Sequence, residues 1–158
     1  MKWLVIALLC AKCLTAQSYD GPRPPKPDLP YLIHADNLVP TESTEAKMDE
    51  REQRKGDQLY IIDGANSTAR TPLGSPSFLI QTDQLQADQL QCFRLTSKNG
   101  HREILIRRKK KMVAQPVRLN VVKVGDNLYK ISVDEILDNG EYALSPAESN
   151  QAFCFQVY

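Results

Sequence analysis

At 158 residues the chain has the length of one domain of ordinary size with a tail, and leaves little room for a second core. A formal net charge of +1 speaks against a uniformly basic or acidic chain, and two histidines offer little to a metal centre built on imidazole.

The first residues, "MKWLVIALLCAKCLTAQ", set Lys2 before an apolar run from Trp3 to Ala11 and a small residue, Ala16, before Gln17. This is the layout of a secretory signal peptide over residues 1–16, so the expected location is exported, periplasmic or extracellular. Nine apolar residues interrupted by Lys12 fall short of the about 20 that a membrane-spanning helix needs, so no permanent transmembrane anchor is expected. A lipid anchor needs a small residue just before the modified cysteine, where Leu9 and Lys12 stand before Cys10 and Cys13. Cleavage near Ala16 leaves Cys92 and Cys154, two thiols that an oxidising compartment allows to pair. Pairing requires their Cα atoms to approach to about 4.4–6.8 Å, which spacing cannot decide.

Residues 17–57 read as a spacer and a linker. "SYDGPRPPKPDLP" holds five of the ten prolines, which fix φ and lack a donor, and predicts an extended, solvated polyproline II segment. "YLIHADNLV" is short and apolar enough to dock as a peripheral strand. Residues 40–57 carry six acids and four bases with only Ala46 and Met48 apolar, a pattern with no face to bury, and read as a solvated helix or disordered connector.

From residue 58 onward the chain becomes a series of short β-type runs: "LYIID", "SFLIQT", "LQCFRLTS", "REILIR", "PVRLNVVKV", "LYKISV", "GEYAL" and "AFCFQVY". Eight such runs separated by turn residues predict an all-β sandwich or barrel over 58–158. Asn99-Gly100 favours a two-residue type I′ turn that sets Lys98 opposite His101, Leu95 opposite Ile104 and Phe93 opposite Ile106 on one apolar face, with Cys92 opposite Arg107 on the other. A three-residue loop, Gly125-Asp126-Asn127, places Val121 opposite Ile131 and Leu119 opposite Val133, with Val117 on the same inner face. Cys154, between Phe153 and Phe155, and Cys92 both face outward on this reading.

The turn "LDNGEYAL", taken as Asp138-x-Gly140-x-Tyr142-x-Leu144, resembles the tyrosine corner of immunoglobulin-like Greek-key sandwiches. There the glycine permits the tight turn, and the tyrosine hydroxyl returns to an upstream backbone group. The resemblance implies an immunoglobulin-like or fibronectin-like sandwich of about 7–8 strands, and a divergent one. Leu144 stands where a disulfide cysteine would be, and no tryptophan remains after residue 16. More loosely, "GPRPPKPDLPYLIHADNLVPTE" with "GEYALSPAESNQAFCFQVY" is similar to a group of small exported bacterial proteins, a likeness that bears on location and brings no activity.

Chemistry-bearing patterns are sparse. After residue 16 there is no C-x-x-C, H-E-x-x-H, G-x-S-x-G, phosphate-binding loop or dinucleotide glycine pattern, and no cofactor or metal is expected. "GANSTARTPLGSP" reads as a loop, and Asn66-Ser67-Thr68 within it is a glycosylation acceptor only in a host that glycosylates. Charge is unevenly spread: ten bases from Arg94 to Lys123 face Glu103 alone, a net of +9, while Val124 to Tyr158 carries a net of −5. The densest part is Arg107, Arg108, Lys109, Lys110 and Lys111, which either binds an anionic lipid or glycan or forms a solvated connector between strands. Nucleic acid is not expected, because no aromatic side chains interleave the cations. The leading expectation is an exported, non-catalytic structural or interaction module whose partner is an unknown protein or envelope component. A polyanion-binding domain and an enzyme of unrecognised type are the alternatives.

Overall fold

The computed structural model of the chain describes residues 19–50, 57–107 and 115–158. The signal peptide expected at 1–16 and the cations Arg108, Lys109, Lys110 and Lys111 therefore lie outside the described residues. All eight apolar runs are strands: β5 (Asp57–Asp63), β7 (Ser77–Gln81), β8 (Leu90–Lys98), β9 (His101–Arg107), β10 (Leu119–Gly125), β11 (Leu128–Val133), β12 (Gly140–Pro146) and β13 (Gln151–Val157). Five shorter strands join them: β1 (Tyr31–His34), β2 (Asn37–Pro40), β3 (Glu42–Glu45), β4 (Lys47–Met48) and β6 (Arg70–Thr71). One sheet runs β10-β11-β7-β1-β2; the other runs β3-β13-β12-β8-β9-β5-β4, with β6 lying parallel along β13 and every other pairing antiparallel.

The second sheet curls back on itself. Only Ala46 separates β3 from β4; β3 pairs with β13, the Ala46 N–H donates to the Asn150 carbonyl at 2.8 Å, and β4 pairs with β5. One bent strand thus joins the two ends of the sheet and makes it barrel-like. Its strands β12 and β13 are buried over Glu141–Leu144 and Ala152–Phe155 without alternation, because both faces are covered. Tyr142, Leu144, Phe153 and Phe155 pack against Phe78, Ile80 and Ile131 of the first sheet, where the Phe78 and Phe155 rings meet edge-on at 4.9 Å and Tyr142 stacks on Phe155 at 5.5 Å. On the opposite face Ala143, Ala152 and Cys154 meet Ile62 and Leu95 inside the barrel, a second small core behind the same sheet.

The expected spacer and linker are largely part of this fold. Pro24 and Pro30 are buried, Tyr19 packs on Leu79, Val124 and Leu128 of the first sheet's outer face, and Asp28 clamps the 83–85 turn through its carboxylate. Residues 42–48, read as a connector with no face to bury, alternate half-buried and exposed with period two. Their inward face is Glu42, Thr44, Ala46 and Met48, and burial of the acid is made feasible by a cationic partner across the barrel.

The first hairpin keeps its expected register only next to the turn, and the second keeps it everywhere but there. Asn99 and Gly100 have φ of 51° and 81°, as a type I′ turn needs, and Lys98, Ser97 and Thr96 lie opposite His101, Arg102 and Glu103. Pairing stops there. From Leu95 back to Leu90, β8 stays paired with β12 on its other edge and β9 with β5 on its own, but the two part from each other, and the expected Leu95–Ile104, Phe93–Ile106 and Cys92–Arg107 pairs are not formed. Arg107 lies opposite Asp57, and the Cys92 carbonyl accepts the Val117 N–H at 2.7 Å. In the second hairpin Val121 and Leu119 do face Ile131 and Val133, but Gly125 pairs with Leu128, leaving a two-residue loop; an irregularity between Lys123 and Gly125 absorbs the remaining residue.

Candidate functional site

The parting of β8 from β9 opens the barrel. Phe93 and Leu95 on β8, and Ile104 and Ile106 on β9, still share one face, but across a cavity of about 260 Å³. Tyr60 and Ile62 of β5 complete the far wall. On the near side the side chains are Ala46, Ala143 and Ala152, from three neighbouring strand positions, and their small size leaves the space unfilled. The rim is polar: Gln91 at the start of β8 and Ser145, Glu148, Ser149 and Asn150 at the β12–β13 turn. That turn is fixed internally, since the Ser145 hydroxyl donates to the Gln151 carbonyl at 2.8 Å and the Ala147 N–H to the Gln89 carbonyl at 3.2 Å.

An ionic cluster closes the opposite end. Arg102 follows the parity of Ile104 and Ile106 inward, and its residue is 0% exposed. Nε donates to the Gly64 carbonyl at 2.9 Å; Nη1 donates to Ser67 Oγ at 2.7 Å and Glu42 Oε2 at 3.2 Å; Nη2 donates to Glu42 Oε1 at 2.6 Å and the Asp63 carbonyl at 2.8 Å. All five guanidinium N–H groups are used, the fork meeting one carboxylate bidentately. Burial alone would lower the Arg102 pKa, but the hydrogen bond to Glu42 and the neighbouring charges raise it, so the cation is secure. Glu141 stands 3.9 Å from Nη1 and accepts both the Ser67 N–H and hydroxyl on Oε2, while its Oε1 is buried without a hydrogen-bond partner.

The two cysteines cannot form the disulfide that the sequence allows. Cys92 on β8 pairs with Leu144, and Cys154 on β13 pairs with Ala143, so β12 lies between them and their Cα atoms are roughly 10 Å apart, too far for an S–S bond. Neither faces solvent: Cys92 enters the core between the sheets and Cys154 the barrel, on opposite faces of one sheet. Burial pushes each thiol up to about 12, with Glu135 adding to the effect at Cys92; at Cys154 the opposing pull of Arg102 is too weak to prevent it. These are inert packing residues.

At the Asp138–Gly140–Tyr142 turn, the Tyr142 hydroxyl donates to the Asp138 carbonyl at 2.8 Å. Arg94 covers the turn, bonding Asp138 Oδ2 and the Asn139 carbonyl at 3.2 Å each, and a Cβ at Gly140 would meet its guanidinium at 3.4 Å. His101 Nε2 lies 3.1 Å from Glu103 Oε2, and His34 ends β1 in solvent. Among the described residues no group of three or more His, Cys, Asp or Glu side chains could hold a metal ion, and no helix is long and apolar enough to cross a membrane.

Sequence reasoning missed both the cavity and its floor. The cavity depends on two strands parting company, which no local pattern encodes. Arg102 was detectable, because the register that sends Ile104 and Ile106 inward sends it inward too. Comparison with family models, with curated proteins and with solved structures finds no match to the chain.

Proposed function

We propose that the chain is an exported, non-catalytic interaction module of the cell envelope or extracellular space, and that the barrel mouth is where it meets its partner. The observation that carries this reading is the cavity wall: an opening of about 260 Å³ at the end of a barrel-like sheet, lined inside by aliphatic and aromatic side chains, with amides, hydroxyls and a carboxylate gathered at the rim. Such a surface binds by excluding water and orients by its edge. An immunoglobulin-like Greek-key ancestry for the sandwich is supported by the Tyr142–Asp138 hydrogen bond at the corner before the last strand.

The test uses a photo-crosslinking side chain placed at Gln91, on the rim, or at Asp126, in the exposed β10–β11 turn, with the native host as the source of partners. Adducts from position 91 and none from position 126 are expected. Equal labelling from both positions would overturn the site; recovery of the full 158-residue mass from the exported fraction would overturn the cleaved signal peptide, and absence of the chain from that fraction would overturn the export.

A further inference from the structure

We propose that the barrel cavity takes the single alkyl chain of a small amphiphile, tail inward, with an uncharged hydrogen-bonding head left at the rim. This rests on the reading of the chain as a binding module and adds the chemical class of what is bound. The first support is shape. Gln91, Phe93 and Leu95, successive side chains on one face of β8, mark the cavity from rim to depth and span about 13 Å. A site of about 260 Å³ drawn out over that length is elongated, the shape of an extended chain and not of a compact ring. The volume also lies between the roughly 150 Å³ that accommodates benzene and the roughly 300 Å³ at which drug-sized sites begin.

Chemistry points the same way. The inner wall is aliphatic and aromatic, whereas the rim offers the amides of Gln91 and Asn150 and the hydroxyl of Ser149. Glu148 is the one charged residue among the described lining, and it disfavours an anionic head. The Arg102 fork beyond the cavity already has a partner for each N–H, so it offers no free donor to an anionic or carbonyl head. Space for the tail exists because Ala46, Ala143 and Ala152 stand where larger residues would fill it.

The experiment titrates the exported chain with monomeric n-alkyl glucosides from hexyl to dodecyl, and with glucose, following the Ile62, Ile104 and Ile106 methyl resonances. Affinity is expected to rise roughly fourfold per methylene and to level at about ten carbons, the length that fills about 13 Å. Glucose should move none of these resonances. Ala152→Leu, which fills the cavity, should weaken octyl glucoside at least tenfold, with Ala46→Leu at a half-buried position as the second filling variant. Ile136→Ser, at the 87% exposed apolar side chain, should leave binding unchanged. Absence of saturable binding, equal binding of glucose, a rise continuing through dodecyl, or indifference to both filling variants would each overturn the inference. Selective cross-linking from position 91 alongside any of these would leave the binding-module reading standing with a different ligand.

Discussion

Arg102 shows how a single residue can set the depth of a site. A guanidinium with no solvent contact is tolerable only if every donor is matched, and here two backbone carbonyls, one hydroxyl and one bidentate carboxylate do so. The partners come from distant parts of the chain: Glu42 from β3, Gly64 and Ser67 from the loop after β5, Glu141 from β12. With two carboxylates around one cation, and one oxygen of Glu141 already unpartnered, removing the cation leaves buried negative charge on both sides. Arg102→Leu should therefore cost about 3–5 kcal/mol, read as a lowered urea midpoint at unchanged slope. The double variant Arg102→Leu with Glu42→Gln should recover part of that loss, since one stranded charge is gone. A cost below about 1 kcal/mol would mean the cluster opens to water in solution.

At the scale of elements, the N-terminal segment illustrates what hydrophobic patterning can and cannot disclose. The eight runs after residue 57 were legible because alternation or continuous apolar character marks a strand with a buried face. The strands β3 and β4 were not, because their inward positions include the polar Thr44 and Glu42, and the burial of Glu42 makes sense only with Arg102 sixty residues away. The proline-rich piece misleads for a similar reason: beside its buried prolines and the packing of Tyr19, its attachment includes a single carboxylate that no hydrophobic pattern discloses. Asp28, at φ 55°, accepts backbone N–H groups from Asp83, Gln84 and Leu85 at 2.9 to 3.2 Å. Desolvation raises the Asp28 pKa, but these three amides outweigh it and the net shift is downward. A carboxyl whose folded pKa lies below its unfolded value of about 3.9 contributes stability above that pH and loses it as pH falls through the folded pKa. Asp28→Asn keeps a residue that tolerates positive φ and removes the charge. Its urea midpoint should lie below wild type by a constant margin from neutral pH down to about pH 5, and the margin should close on further acidification. A margin that persists unchanged at pH 2 would assign the effect to geometry and not to the carboxylate.

The molecule as a whole is built around one shared wall. β8, β12 and β13 present Cys92, Leu144 and Phe155 to the core between the sheets, and Leu95, Ala143 and Cys154 to the barrel. A wall buried on both faces cannot lose one core and keep its geometry for the other. The sequence conceals this, since a run buried on two sides looks the same whether its second face meets a helix, a sheet or its own curled edge. The consequence for stability is cooperativity across two hydrophobic clusters. Leu144→Ala, on the sandwich face, and Ile62→Ala, inside the barrel, should each cost about 2–5 kcal/mol and should both shift one urea transition. Far-ultraviolet circular dichroism and tyrosine fluorescence should trace that transition with the same midpoint in wild type and in both variants. If Ile62→Ala instead separates the two signals into an early and a late step, the barrel unfolds while the sandwich survives. The wall would then be held by the larger core alone, and the site at its mouth would open and close on its own equilibrium.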